Sequence, residues 1–262
     1  MSRLGEMFAT CRAEDRAALI GYLPTGFPDV ATSIAAMTTL VESGCDLVEV
    51  GVPYSDPGMD GPTIAAATEA ALAGGVRVRD TLAAVEAISN AGGRAVVMTY
   101  WNPVLRKGVD NFARALASAG GYGLITPDLI PEEADDWLAA AEAHQLDRIF
   151  LVAPSSTPER LAATVRASRG FVYAASTMGV TGARDAVSSA APELVARIRK
   201  VSDIPVGGGL GVRSGEQAAQ IGSYADGVIV GSALVSALKD GLDSVRTLTE
   251  ELASGVRRRI SA

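Results

Sequence analysis

A glutamate stands inside an apolar run, Leu47-Val48-Glu49-Val50-Gly51-Val52, and the loop that follows carries two aspartates, Asp56 and Asp60. A carboxylate among Val and Leu is costly to bury unless it is paired, protonated or engaged in chemistry. Strand alternation puts Leu47, Glu49 and Gly51 on one face, with Glu49 just before the strand's carboxyl end. The loop can then fold Asp60 back towards it. Two carboxylates in unlike surroundings, one dry and one wetter, form the arrangement that separates an acid from a base. Plainer readings stand beside this one. Glu49 can be a hydrogen-bonded structural acid, Asp60 a turn former in Asp-Gly-Pro, and Asp56 a turn residue or partner contact in Ser-Asp-Pro. Tyr173, between Val172 and Ala174, faces inward either as packing or as a pocket wall. Asp128 ends another short strand, as a loop cap or a site residue.

The remaining reactive side chains narrow the chemistry. The single histidine, His144, sits in what reads as a surface helix tail, so a histidine-rich zinc site is out of reach. The lysines (Lys107, Lys200 and Lys239) all fall in loop or helix-end contexts, none in an apolar strand that would desolvate a Schiff-base amine. Carbon–carbon chemistry here must run on carboxylates. Cys11 and Cys45 suggest no disulfide framework. A net charge of −7 over 262 residues argues against nucleic acid as a partner. The amino-terminal residues lack an apolar signal core and no run is long enough to span a membrane, so the expected location is the cytoplasm.

The elements that must position these side chains alternate along the chain. Strands are expected over 18–23, 47–52, 95–100, 123–126, 149–152, 171–175, 205–207 and 227–230. They are short and apolar on both faces, as in a parallel sheet covered on each side. Amphipathic helices are expected over 29–43, 78–91, 110–118, 132–144, 158–168, 193–201 and 214–221, with a final pair over 232–239 and 243–257. Starts such as Thr157-Pro158-Glu159 and Pro131-Glu132-Glu133 carry helix-opening chemistry. Strand–helix alternation through the chain predicts a (β/α)8 TIM barrel, with an open doubly wound sheet as the alternative. The segment 2–11 is expected as an extra N-terminal helix covering the barrel's bottom. With no linker, low-complexity tract or charge block, residues 1–262 are expected to form one domain.

In such a barrel the active site lies at the carboxyl ends of the strands, with phosphate commonly held after the seventh and eighth. Three glycine motifs fall at successive strand ends: Gly179-Val180-Thr181-Gly182, then Gly207-Gly208-Gly209-Leu210-Gly211, then Gly231-Ser232 opening a helix. Each alone is a common turn. Together they favour an anion held by backbone N–H groups and a helix start.

These residues resemble the tryptophan synthase alpha chain family. The similarity runs through the Glu49 strand with its Ser-Asp-Pro and Asp-Gly-Pro loop, Tyr22-Leu-Pro-Thr-Gly-Phe-Pro28, Tyr100-Trp-Asn-Pro103, Pro127-Asp-Leu-Ile-Pro131, Gly179-Val-Thr-Gly182, Gly209-Leu-Gly211 and Gly231-Ser232. The resemblance implies a lyase that cleaves indole-3-glycerol phosphate, a small phosphorylated indole, by retro-aldol chemistry. It implies Glu49 as the acid/base and Asp60 as the group steadying the indole ring. Tyr173, Thr181, Tyr100, Ile64 and Leu210 would line the indole pocket, and Gly182, Gly211, Gly231 and Ser232 would hold the phosphate. It further implies a beta-chain partner in an alpha2-beta2 heterotetramer. That partner would carry pyridoxal phosphate, while this chain would hold no cofactor and no metal. The loop with Pro53 and Asp56, the Asn102-Pro103 turn and the loop 179–189 would form the partner interface and lid. Gly58-Met59 departs from the Leu-Ala-type pair common before the catalytic aspartate, and Thr177-Met178 from a basic residue found there in some members; both bear on loop closure. The alternatives are another phosphate-binding barrel enzyme, or a non-catalytic barrel that activates a partner. A synthase acting on a related intermediate, such as indole-glycerol phosphate synthase, would call for a strand lysine that this chain lacks.

Overall fold

Runs that are apolar on both faces can bury both only if they close on themselves or are sandwiched. In the computed structural model, which describes residues 2–175, 190–209 and 211–258, they close. Eight parallel strands form a barrel in chain order: β1 (Ala18–Pro24), β2 (Leu47–Gly51), β3 (Ala95–Met98), β4 (Gly123–Thr126), β5 (Asp147–Val152), β6 (Val172–Ala174), β7 (Val206–Gly208) and β8 (Gly227–Val230). β8 pairs back on β1, matching Ile20 with Ile229. The TIM-barrel expectation holds, and the open sheet does not.

Around the barrel run α2 (Val30–Glu42), α3 (Pro62–Ala73), α4 (Val78–Asn90), α5 (Trp101–Lys107), α6 (Val109–Ser118), α7 (Asp135–Ala143), α8 (Pro158–Ala167), α9 (Ala190–Arg199), α10 (Gly215–Gly222), α11 (Ser232–Lys239) and α12 (Leu242–Val256). Strand alternation sorts the core into two shells. Leu19, Leu23, Val48, Val50 and Val97 face the helices. Ala18, Ile20, Leu47, Val96, Ile125, Ile149, Phe171 and Ile229 fill the barrel interior.

The structure corrects the sequence reading in four places. α3 was not anticipated, because its Ala-rich sequence blurs the apolar stripe; Gly61 and Pro62 start it. Asn102 and Pro103, expected in a turn, form the first turn of α5, where proline is tolerated. β3 accordingly stops at Met98, short of the expected residue 100, and Tyr100 becomes the residue that opens α5. The helix expected over 132–144 begins as a 3-10 turn, Pro131–Glu133, before α7.

The extra amino-terminal helix, α1 (Arg3–Ala13), lies under the barrel and sends Leu4, Met7, Phe8 and Cys11 into the interior core. Ser2 caps it by accepting from the Gly5 N–H at 3.0 Å. Phe8 packs against Phe171 with ring centroids 5.5 Å apart. Asp147, at the start of β5, is fully buried and accepts the Leu4 N–H at 3.1 Å, while the Arg169 Nε lies 3.2 Å from its other oxygen. Burial pushes the Asp147 carboxyl up, and the Leu4 N–H and nearby arginines pull it back. Removing one member of a buried polar set strands the others, so Asp147→Ala is expected to destabilise the fold by about 2–4 kcal/mol. Urea unfolding followed by circular dichroism measures this; an unchanged midpoint would show that α1 is held by its apolar face alone.

Candidate active site

The site is built on β2. Glu49 shares the inward face with Leu47 and lies between Tyr22 on β1 and Val96 on β3. It is 1% exposed, and its Oε2 has no hydrogen-bond partner among the described residues. Burial pushes its carboxyl up to about 8, so the protonated acid persists at neutral pH. An acid poised near neutrality can give a proton and take it back.

Asp60 ends the loop between β2 and α3 and is half-buried. The Tyr100 hydroxyl donates to its Oδ1 at 3.2 Å and accepts the Met59 N–H at 2.9 Å. Burial raises the Asp60 carboxyl, and the Tyr100 hydrogen bond works in the opposite direction. The charges of Asp60 and Glu49 both act on the buried hydroxyl of Tyr22, so the two acids look onto one space at the barrel's upper end.

Tyr22 was missed as a site residue. Its ring approaches Gly51 so closely that a Cβ there would lie 2.5 Å from the hydroxyl, and a Cβ on Gly231 would lie 3.3 Å from the ring and 3.6 Å from Ile64. Tyr22, Ile64 and Gly231 therefore meet at one wall. The available signal was alternation: Ala18 and Ile20 point inward, and Tyr22 continues that face. Tyr173 on β6 packs against the interior core and feels the charge of Glu49, after burial the second influence raising its hydroxyl. Asp128 turns out to be a cap, accepting the Trp101 N–H at 2.9 and 3.1 Å at the start of α5.

At the end of β7 the backbone of Gly209 lies against that of Ile229, leaving no room for a Cβ, and Gly211 has φ +75°. Gly231 and Ser232 open α11, whose first turn has no side-chain cap, leaving N–H groups to an anion. Thr181, Gly182, Leu210, Thr177, Met178 and the loop 179–189 lie outside the described residues. No group of three or more His, Cys, Asp or Glu placed to hold a metal occurs among the described residues. Lys107 ends α5, Lys239 ends α11 and Lys200 follows α9, so none reaches the barrel interior. His144 follows α7 and pairs with Asp110 at 2.8 Å.

The family model of the tryptophan synthase alpha chain matches residues 8–260. The chain belongs to the tryptophan synthase alpha chain family. It is 82% identical over 262 residues to the alpha chain of Mycobacterium avium, covering 100% of this chain and 97% of that one. It is 81% identical over 261 residues to that of Mycobacterium tuberculosis, with 100% and 97% covered. The fold superposes on Mycobacterium tuberculosis tryptophan synthase with a TM-score of 0.96 at 80% identity, covering 98% of this chain and 99% of that chain. The alpha subunit from Legionella pneumophila superposes with a TM-score of 0.86 at 31% identity, covering 98% of each. As a member of this family the chain is a lyase that cleaves indole-3-glycerol phosphate to indole and glyceraldehyde 3-phosphate.

The expected partner-facing residues cluster on the upper rim. Asp56 is exposed and accepts the Ser55 hydroxyl at 2.6 Å. Asn102 is exposed and donates to the Tyr54 hydroxyl at 3.3 Å, while Pro53 and Pro103 are half-buried beside them in sequence. Two large apolar side chains missed by sequence reasoning are exposed on segments of the same side, Leu105 at 52% and Ile130 at 38%.

Proposed function

We propose that Glu49 carries the proton in this cleavage and that Asp60 steadies the charge it creates. Protonated Glu49 gives its proton to indole C3, which places positive charge on the ring and its N–H. The Asp60 carboxylate faces that charge and stabilises it. Ionised Glu49 then removes the proton from the hydroxyl on the carbon attached to the ring. That carbon becomes the aldehyde, the C–C bond breaks, its electron pair returns to the indole ring, and Glu49 ends protonated as it began. Tyr100, Tyr173, Ile64, Thr181 and Leu210 flank the indole. Gly182, Gly211, Gly231 and Ser232 hold the phosphate, so that binding energy far from the reacting bond fixes its position. The observation that carries this reading is the buried carboxyl of Glu49, whose Oε2 has no hydrogen-bond partner among the described residues, with burial pushing its acid up to about 8.

The chain acts as one barrel domain in the cytoplasm and pairs with a tryptophan synthase beta chain in an alpha2-beta2 heterotetramer. Pyridoxal phosphate belongs to that partner, in keeping with lysines that lie outside this barrel's interior. Pro53, Asp56, Asn102 and Pro103 form the contact, and the exposed Leu105 and Ile130 support a partner on this rim. Incubating the full chain with indole-3-glycerol phosphate and following indole release tests the activity. A purified beta chain is expected to raise the rate; a rate indifferent to saturating beta chain would remove the coupling.

A further inference from the structure

We infer that Tyr54 is a positioning residue for Asp60, acting through the ring of Tyr100. The inference rests on the role proposed for Asp60. Between β2 and α3 the loop, residues 52–61, carries Asp60 near its far end. Ser55 and Asp56 are exposed and bond to each other, and the space a Cβ would occupy on Gly58 is open. Tyr100 binds its far end: its hydroxyl takes the Met59 N–H and donates to Asp60.

Tyr100 is itself held in place, its carbonyl accepting the Thr99 hydroxyl at 3.0 Å. Asp128 fixes the backbone immediately after it by accepting the Trp101 N–H. Tyr54 covers its ring, with centroids 5.2 Å apart and planes inclined by 29°. Tyr54 belongs to the same loop as Asp60, so the two ends of that loop grip one aromatic ring. An offset stack of this kind fixes lateral placement as well as covering apolar surface. Tyr54 also meets Asn102, so three side-chain contacts, Asn102 to Tyr54, Tyr54 to Tyr100 and Tyr100 to Asp60, connect a rim residue to that carboxylate.

The consequence for rate follows from geometry. A carboxylate that steadies transition-state charge acts only from the right place, and loss of placement lowers kcat more than it weakens substrate binding. Among the described residues Tyr100, Tyr22 and, through Tyr22, Glu49 are the titratable groups on the Asp60 side of the site, and Tyr100 also faces Asp128. Because the Tyr100 hydrogen bond lowers the Asp60 pKa, loosening it moves that pKa upward.

Steady-state lyase assays on the full chain with indole-3-glycerol phosphate test the inference, using Tyr54→Leu, Tyr54→Phe and Asp60→Asn. Tyr54→Leu is expected to lower kcat by about tenfold or more with KM changed little, and to shift the acid limb of kcat/KM to higher pH. Tyr54→Phe keeps the ring and is expected to restore both. Where Tyr54→Leu loses its fold by circular dichroism, Tyr54→Met fills the space with an unbranched chain and carries the same expectation. Wild-type kcat and pH profile in the folded non-aromatic variant, alongside an impaired Asp60→Asn, would overturn the role of Tyr54 and leave Asp60 standing. A wild-type rate in Asp60→Asn would remove the role of Asp60 and this inference with it.

Discussion

Glu49→Gln is expected to lower the lyase rate constant by at least about a thousandfold while leaving the barrel folded. The amide has the shape of the acid but neither gives nor takes a proton, and in the proposed mechanism this one group serves both halves of the reaction. Single-turnover assays of indole release measure the loss; a variant within tenfold of wild type would take Glu49 out of the mechanism. The same substitution is expected to raise stability. Burial lifts the folded carboxyl to about 8, above its ordinary value of 4.5. Below the ordinary value both folded and unfolded chains hold the proton, and nothing is lost. As pH rises towards 8 the unfolded chain releases the proton while the folded one keeps it, so stability falls by at most about 1.4 kcal/mol per pH unit. Glutamine escapes that loss, so the melting temperature of Glu49→Gln should exceed wild type by a margin that widens from pH 5 to pH 8. A constant margin across that window would mean the carboxyl titrates normally.

Asp60→Asn is expected to lower kcat by about a hundredfold with KM changed much less. Asparagine retains an oxygen to accept the Tyr100 hydroxyl, so the loop contact is preserved while the negative charge is lost. The experiment therefore separates charge from geometry. A rate near wild type would leave Asp60 as a loop residue only.

The alternation of strands and helices was legible because a closed parallel barrel buries both faces of each strand, making short apolar runs conspicuous. Glu49 stood out for the same reason: it breaks such a run. Tyr22 did not, because its place beside Glu49 depends on the pairing of Ile20 with Leu47, and register between strands is not written locally. α5 was hidden by Asn102 and Pro103, which favour turns in isolation and fit a helix only in its first turn. The stack of Tyr54 on Tyr100 joins two loops distant in the chain, and nothing in the residues around either tyrosine announces the other. Asp128 lies between these cases: a capping role was readable from its place after a strand, but its partner, the Trp101 N–H at the start of α5, is distant in the chain and was not.

The strand side chains that fill the barrel, sealed from below by the apolar face of α1, make it a solid plug rather than a channel. The packed interior leaves the opposite end, where Glu49 sits, as the side from which a reactant reaches it. A partner seated on the upper rim, as proposed above, would therefore stand beside the end of the barrel at which the freed ring system is released.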